Sequence, residues 1–225
     1  MTDAGHEEVK ANDAALAVGV ALLAAGEGSR MGGVPKCLIR IDGQPLIRRS
    51  LAALREFGAV RIAVVTGNYA DAIESQVEGA AQIVRNPAPE RGQQSSVRLG
   101  LEALAGHALD VVLVMLADQP LIGAADLREL VAAHAARPAI CRVSYPEVDG
   151  QRGNPVAFDP SLVAEVLAAR GEGGRGGLRG WIDANPAAVH RYPTSNPHFV
   201  TDLDTRDDLE RLAQVTGLKV ELPLA

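Results

Sequence analysis

The sequence predicts an α/β fold: a three-layer, doubly wound and mostly parallel sheet with helices on both faces. Three observations predict it. Apolar runs of strand length, such as Leu16–Ala25 and Asp110–Leu116, are continuous rather than alternating, as in strands covered on both sides. Segments with helical spacing separate such runs; Leu46, Ile47, Leu51, Leu54 and Phe57 fall on one face. The first run breaks straight into a glycine-rich, cationic loop. In sheets of this class ligands bind outside the carboxyl ends of the strands.

Taken in order, Leu16–Ala25 reads as the first strand. The loop follows, and then a helix started by Gly43-Gln44-Pro45 and stopped by Gly58. Val60–Thr66 is the second strand, Tyr69–Val77 a helix and Ala81–Val84 a short strand. The loop Asn86–Gly92 leads into a helix from about Gln94 to Leu104. Asp110–Leu116 is the most hydrophobic strand and ends in Ala117-Asp118-Gln119-Pro120. Ala124–Ala136 is a helix and Ala139–Ser144 a strand. Asp149–Gly153 is a turn from which Asn154–Phe158 returns as a strand. Pro160–Ala168 is helical, Gly171–Gly177 a glycine-rich loop, and Leu178–Ala184 a short helix. Val189–Tyr192 and Phe199–Asp202 read as strands. Asp204-Thr205 caps a last helix, about Arg206–Val215.

Composition narrows the function. The 225 residues suit one α/β domain, here 15–216, with a disordered polar lead over 1–14 and an extended or loosely attached tail over 217–225. With 22 basic against 28 acidic residues the net charge is −6, which argues against nucleic acid as a partner while leaving room for a locally positive site. Cys37 and Cys141 have no zinc-like or Cys-x-x-Cys spacing and fit a reduced, cytoplasmic protein. The longest apolar run, Ala14–Ala25, is too short to span a bilayer. The five histidines form no ligand pair.

The loop Gly26–Lys36 carries four glycines, one Arg and one Lys within eleven residues. Glycine lets backbone N–H groups converge on an anion, and Arg and Lys add fixed positive charge. This is the chemistry of a phosphate cradle. It is not the dinucleotide fingerprint, because Met31 stands at the third glycine position and no acidic residue ends the second strand. It is not the P-loop either, because Val34 follows Gly33 where Lys is required.

The string Ala24-Ala25-Gly26-x-Gly28-x-Arg30-Met31-Gly32-x-x-Pro35-Lys36 resembles the signature of the MobA-like nucleotidyltransferases. The resemblance continues through Asn86-Pro87 with Gly92–Val97, Asp118-Gln119-Pro120, Arg152-Gly153-Asn154-Pro155 and Asp202-Leu203-Asp204-Thr205. In that order the motifs are most similar to the molybdenum cofactor cytidylyltransferases. The resemblance spans roughly Val18 to Leu212.

It implies transfer of CMP from CTP to a molybdopterin-type phosphate acceptor, with release of pyrophosphate and Mg²⁺ as cofactor. Leu23, Ala24, Ala25, Gly26, Gly28, Ser29 and Gly32 would line the nucleotide site. Arg30 would hold the β- and γ-phosphates, Lys36 would sit by the α-phosphate, and Asp118 would bind the metal with Asp204 or Asp202. Ser95 and Ser96 match the segment that contacts the base. Arg152, Gly153 and Asn154 would face the acceptor. Local alternatives remain: Asp118 as an Asx turn or helix cap, Asp204 or Thr205 as a cap, the serines as caps, and Arg152 in a plain hairpin. The guanylyl relatives carry Gly where this chain has Ala25, whose methyl group crowds a purine more than a pyrimidine. Glu172 and Arg175 depart from the family's G-D-x-G-A-R spacing. The alternatives in function are a cytidylyltransferase for another small phosphorylated acceptor, a nicotinamide-dependent reductase of the same family, or a chaperone that hands cofactor to a molybdenum hydroxylase or dehydrogenase.

Overall fold

The computed structural model describes residues 16–77, 79–168 and 177–223. The lead 1–14, Glu172 and Arg175 lie outside the described residues. At the centre stands β1, Val18–Leu23, with every residue buried. Val20 and Leu22 point to one face and Ala21 and Leu23 to the other, so the strand is apolar on both sides because both sides are covered. It pairs in parallel with β4, Arg61–Thr66, on one side and β6, Val111–Leu116, on the other.

The main sheet runs β10 (Val189–Pro193), β7 (Val143–Val148), β9 (Val156–Phe158), β6, β1, β4, β5 (Gln82–Arg85). β9 runs against both neighbours, and the two-residue β8 (Gln151–Arg152) forms a hairpin with β7. The other pairings are parallel, as the sequence predicts. One face is covered by α1 (Leu46–Phe57), α2 (Ala70–Val77) and α4 (Ala124–Ala135), which bury Ile47, Leu51, Leu54, Ile73, Val77, Leu127 and Leu130. The other is covered by α3 (Gln93–Leu104), α5 (Val163–Ala168) and α6 (Gly177–Ala184), through Val97, Leu101, Val163, Leu178 and Ile182.

α3 lies very close to the sheet. A Cβ on Gly100 would stand 2.7 Å from the Ala21 Cβ and 3.2 Å from Val65 Cγ2. From β1 the chain winds outward to β4 and β5, then crosses back to β6. The reversal opens a crevice at the carboxyl ends of β1 and β6.

A second, three-stranded sheet stands apart: β2 (Arg40–Ile41), β3 (Gln44–Pro45) and β11 (Val220–Glu221). With α7 (Arg206–Thr216) it encloses Met31, Ile39, Ile41, Leu46, Leu203 and Leu212. Four expectations change here. The segment after Gly217 is not loosely attached, because Val220 and Glu221 pair with Ile41 and Arg40. Gln44–Pro45 is a strand, and Pro45 caps α1 rather than starting it. Phe199–Asp202 is no strand; Pro197–Val200 is a 3₁₀ turn whose Phe199 plugs the core and whose Phe199 carbonyl accepts from Asn154. The strand expected at Ala139–Ser144 starts at Val143 and continues through Pro146, which is tolerated because the ladder to β9 stops at Ser144.

Gly100→Val should force α3 off the sheet and cost about 1–3 kcal/mol in urea unfolding. An unchanged midpoint would contradict the close approach.

Candidate functional site

The loop after β1 takes its shape from glycine. Gly28 (φ 66°) and Gly32 (φ 71°) sit in left-handed conformation on either side of a 3₁₀ turn, Ser29–Met31. A Cβ on Gly28 would fall 1.9 Å from the Val34 carbonyl oxygen, so no other residue closes this turn. Met31, which breaks the dinucleotide fingerprint, is a buried anchor in the small third core. Tyr69, at the start of α2, locks the loop from the side. Its hydroxyl donates to the Gly33 carbonyl and lies 3.2 Å from that of Glu27, tying both ends together. Sequence reading missed Tyr69, because one tyrosine ahead of a helix carries no periodic signal.

Below the loop, at the β1/β6 crevice, is a cavity of about 560 Å³. Leu23, Ala24, Ala25, Gly26, Gly28, Ser29, Arg30, Lys36, Ser96, Asp118 and Asp204 all line it. Four stretches far apart in sequence, the loop after β1 and the segments around Ser96, Asp118 and Asp204, are thus brought to one place. Asn68, Pro89, Glu90 and Gln93 also line it and were not foreseen; of these only Gln93 lay inside a motif already singled out. Gly32, Ser95 and Asp202 do not line it.

Its charges are mutually engaged. The Lys36 ammonium pairs with Asp204 Oδ1 and lies 3.4 Å from Asp118 Oδ2. Arg30 pairs with the other Asp204 oxygen. Burial alone would lower the Lys36 pKa, but the two carboxylates outweigh it and hold it above its ordinary value. Asp118 is raised, by burial first and against the opposing Lys36 charge; its Oδ1 is buried without a hydrogen-bond partner among the described residues. Asp204 is held below the usual carboxylate range by the Lys36 hydrogen bond, with Arg30 adding to it. Asp202 is raised, by partial burial and by the Asp204 charge beside it.

Two local alternatives close. Thr205 caps α7 in a capping box with Asp208, which leaves Asp204 free to turn inward. The Asp118 side chain caps no helix, since the N-cap of α4 is Gly123. The Asp118 carbonyl instead accepts from Leu203 N–H at 3.1 Å, which fixes the Asp202–Asp204 segment against the end of β6.

The two serines divide. Asn86 donates to both hydroxyls, at 2.8 Å to Ser95 and 2.9 Å to Ser96. Ser95 spends its proton on the Gly92 carbonyl, whereas the Ser96 proton has no acceptor among the described residues. Arg152 and Asn154 line a neighbouring cavity, and Gly153 lines neither, being packed so that a Cβ would lie 2.7 Å from the Phe199 carbonyl oxygen. Among the described residues no three His, Cys, Asp or Glu side chains form a metal cluster. The acidic pair suits a cation that also takes ligand oxygens and water, and the unpartnered Asp118 Oδ1 is available to it.

A model of the MobA-like NTP transferase domain matches residues 20–190, which hold the cradle, both cavities' strands and Asp118. The chain belongs to the MobA-like NTP transferase family. Nicotine blue oxidoreductase from Paenarthrobacter nicotinovorans is 30% identical to this MobA-like domain over 197 residues, 85% of this chain and 94% of that one. The chain spans about a third of the length of the GlmU relatives it matches. The bifunctional protein GlmU of Streptomyces griseus is 34% identical over 154 residues, 66% of this chain and 32% of that protein. Among solved structures, Rv0371c of Mycobacterium tuberculosis shares the fold at 24% identity with a TM-score of 0.73, over 88% of this chain and 97% of that one. A manganese complex of Rv0371c has a TM-score of 0.67 at 22% identity, over 89% and 99% of the two chains. No helix among the described residues is long and apolar enough to cross a membrane.

Two outcomes follow for the MobA-like domain. Tyr69→Phe should cost about 1 kcal/mol and speed amide exchange at Gly28–Gly33; unchanged protection there would remove the tyrosine's role. Cys37, buried in the cavity wall, has its thiol pushed up to about 12 by burial and the Asp118 charge. It should therefore resist iodoacetamide at pH 8 in the folded protein, and fast alkylation would contradict that environment.

Proposed function

We propose that this protein is a cytidylyltransferase that moves CMP from CTP to a phosphate acceptor of the molybdopterin type and releases pyrophosphate. One observation carries the reading: a glycine cradle, two cations and two carboxylates meet in one cavity at the reversal point of the sheet. Attacking group and donor are both anions, so positioning and charge neutralisation must supply most of the catalysis.

The cradle amides and Arg30 hold the β- and γ-phosphates. Lys36 turns from Asp204 to the α-phosphate and the charge that develops there. The acceptor oxygen attacks the α-phosphorus while pyrophosphate departs. Asp118 with Asp204, or with Asp202 in its place, would hold Mg²⁺, which would supply further neutralisation of phosphate charge, and the manganese-bound relative supports divalent-metal use. Ser96 offers a proton to the pyrimidine edge, and Arg152 and Asn154 face the acceptor. Ala25 supports CTP over GTP. Its methyl group lines the cavity and is backed by Gly67, where even a Cβ would stand 2.9 Å from it.

A nicotinamide-dependent reductase is the second reading, favoured by the oxidoreductase relative. The loop speaks against it, since Met31 is packed into a core instead of being the glycine of a dinucleotide turn.

A thermal-shift panel of CTP, GTP, ATP, UTP and NADPH with Mg²⁺ separates the two. CTP at about 100 times its dissociation constant should stabilise by roughly 2.7 kcal/mol and the others by less; stabilisation by NADPH alone would overturn the proposal. Pyrophosphate release from CTP with the pterin acceptor should fall about 10²–10³-fold in Lys36→Met. Ala25→Gly should shrink the preference for CTP over GTP about tenfold or more. An unshifted preference would remove Ala25 from base selection.

A further inference from the structure

Beside the nucleotide cavity lies a smaller one of about 250 Å³, and the two share Gln93 and Leu116. Two guanidinium groups line it: Arg152 from β8 and Arg179 from α6. Arg152 is fixed in place by stacking, its Cζ lying 4.7 Å from the centroid of the Tyr145 ring. Among the described residues neither arginine is in ion-pair distance of a carboxylate, although Asp183 acts on Arg152 from further off. Burial lowers the Arg152 pKa, and the Arg179 charge lowers it further against Tyr145 and Asp183. The two cations thus feel one another with no ion-pair partner among the described residues.

A third group looks for a partner. Gln94 Oε1 is buried with no hydrogen-bond donor among the described residues, beneath the start of α6, where a Cβ on Gly177 would stand 2.5 Å from it. A buried acceptor left unpaired is costly, so a ligand that donates here gains from it. Val97, Val114, Val156 and Leu178 make the rest of the wall largely apolar, with Gln93 and Asn154 as its other polar members.

We propose that this cavity is the acceptor's anchoring site, in which Arg152 and Arg179 grip a phosphate-monoester dianion and Gln94 accepts an N–H or O–H of the same molecule. That the bound molecule is the acceptor rests on the transferase reading; that the site takes a dianion does not. Two adjacent guanidinium charges are balanced by one dianion, whereas a carboxylate would leave a positive charge uncompensated. Because the cavities share a wall, a molecule anchored here can reach the nucleotide. The transfer balances: an acceptor phosphate oxygen forms a bond to the α-phosphorus, the α–β P–O bond breaks, and pyrophosphate leaves with the electron pair. Arg179 and Gln94 thereby become specificity residues.

The test is calorimetric titration of phenyl phosphate into the full chain, with and without saturating CTP and Mg²⁺. Phenyl phosphate should bind in both cases, and phenylacetate at least tenfold more weakly. Arg179→Gln, on an exposed helical position, should weaken phenyl phosphate at least tenfold while CTP affinity stays within twofold. Arg152→Gln should weaken phenyl phosphate similarly. Wild-type phenyl phosphate affinity in Arg179→Gln, or equal binding of phenylacetate, would overturn the proposal. If the wild type binds Arg179-dependent phenyl phosphate but no CTP, the anion site stands and the transferase reading falls.

Discussion

The carboxyl edge of the sheet depends on one ammonium group held between two carboxylates. Lys36 comes from the loop after β1, Asp118 from the end of β6, and Asp204 from the segment before α7. No two of these are neighbours in sequence. They meet because the chain reverses direction between β1 and β6, and because the small third core draws Met31, Ile41, Leu203 and Leu212 together. The hydrogen bond from Leu203 N–H to the Asp118 carbonyl then sets Asp204 opposite the lysine. Remove that packing and the two halves of the site have nothing to hold them in register.

In this arrangement Asp204 stands where an anionic ligand would. It engages Lys36 and Arg30 together, much as a phosphate group does. Pairing protects the cavity from two uncompensated cations while leaving both exchangeable, since the Arg30 contact is largely exposed and solvent-screened. The cradle shows the opposite behaviour. Gly28, Gly32, Tyr69 and Met31 fix its backbone independently of the charges. Rigid amides and exchangeable side chains suit a nucleotidyltransferase site that must bind a nucleotide and then let product go.

Much of this was legible from sequence, for identifiable reasons. β1 and β6 are buried on both faces, so their apolar runs are unbroken. The cradle was legible because only glycine satisfies φ near +66° beside the Val34 carbonyl. Asp118 was singled out by the resemblance over Asp118-Gln119-Pro120, with an Asx turn or helix cap left open until the structure placed it in the cavity wall. What escaped depended on tertiary contacts without a local pattern. β11 and β2 are two residues long, too short for any periodicity, and exist only through pairing, β2 with both β3 and β11. Pro146 hid the second half of β7. Ser95 and Ser96 look alike in sequence, and only the fold distinguishes them, turning Ser95 to the Gly92 carbonyl and Ser96 to the cavity. Arg179 sat in a helix of unremarkable composition, and its meaning comes from Arg152 across the cavity.

The central claim is that Asp204 occupies the cations which the triphosphate later takes. The direct measurement is the affinity of metal-free CTP, in excess chelator, for the wild type and for Asp204→Asn. If Asp204 competes for Lys36 and Arg30, losing its charge tightens metal-free CTP binding, by about tenfold for a net change near 1.4 kcal/mol. Metal-free CTP binding that is unchanged or weaker in Asp204→Asn would contradict the account.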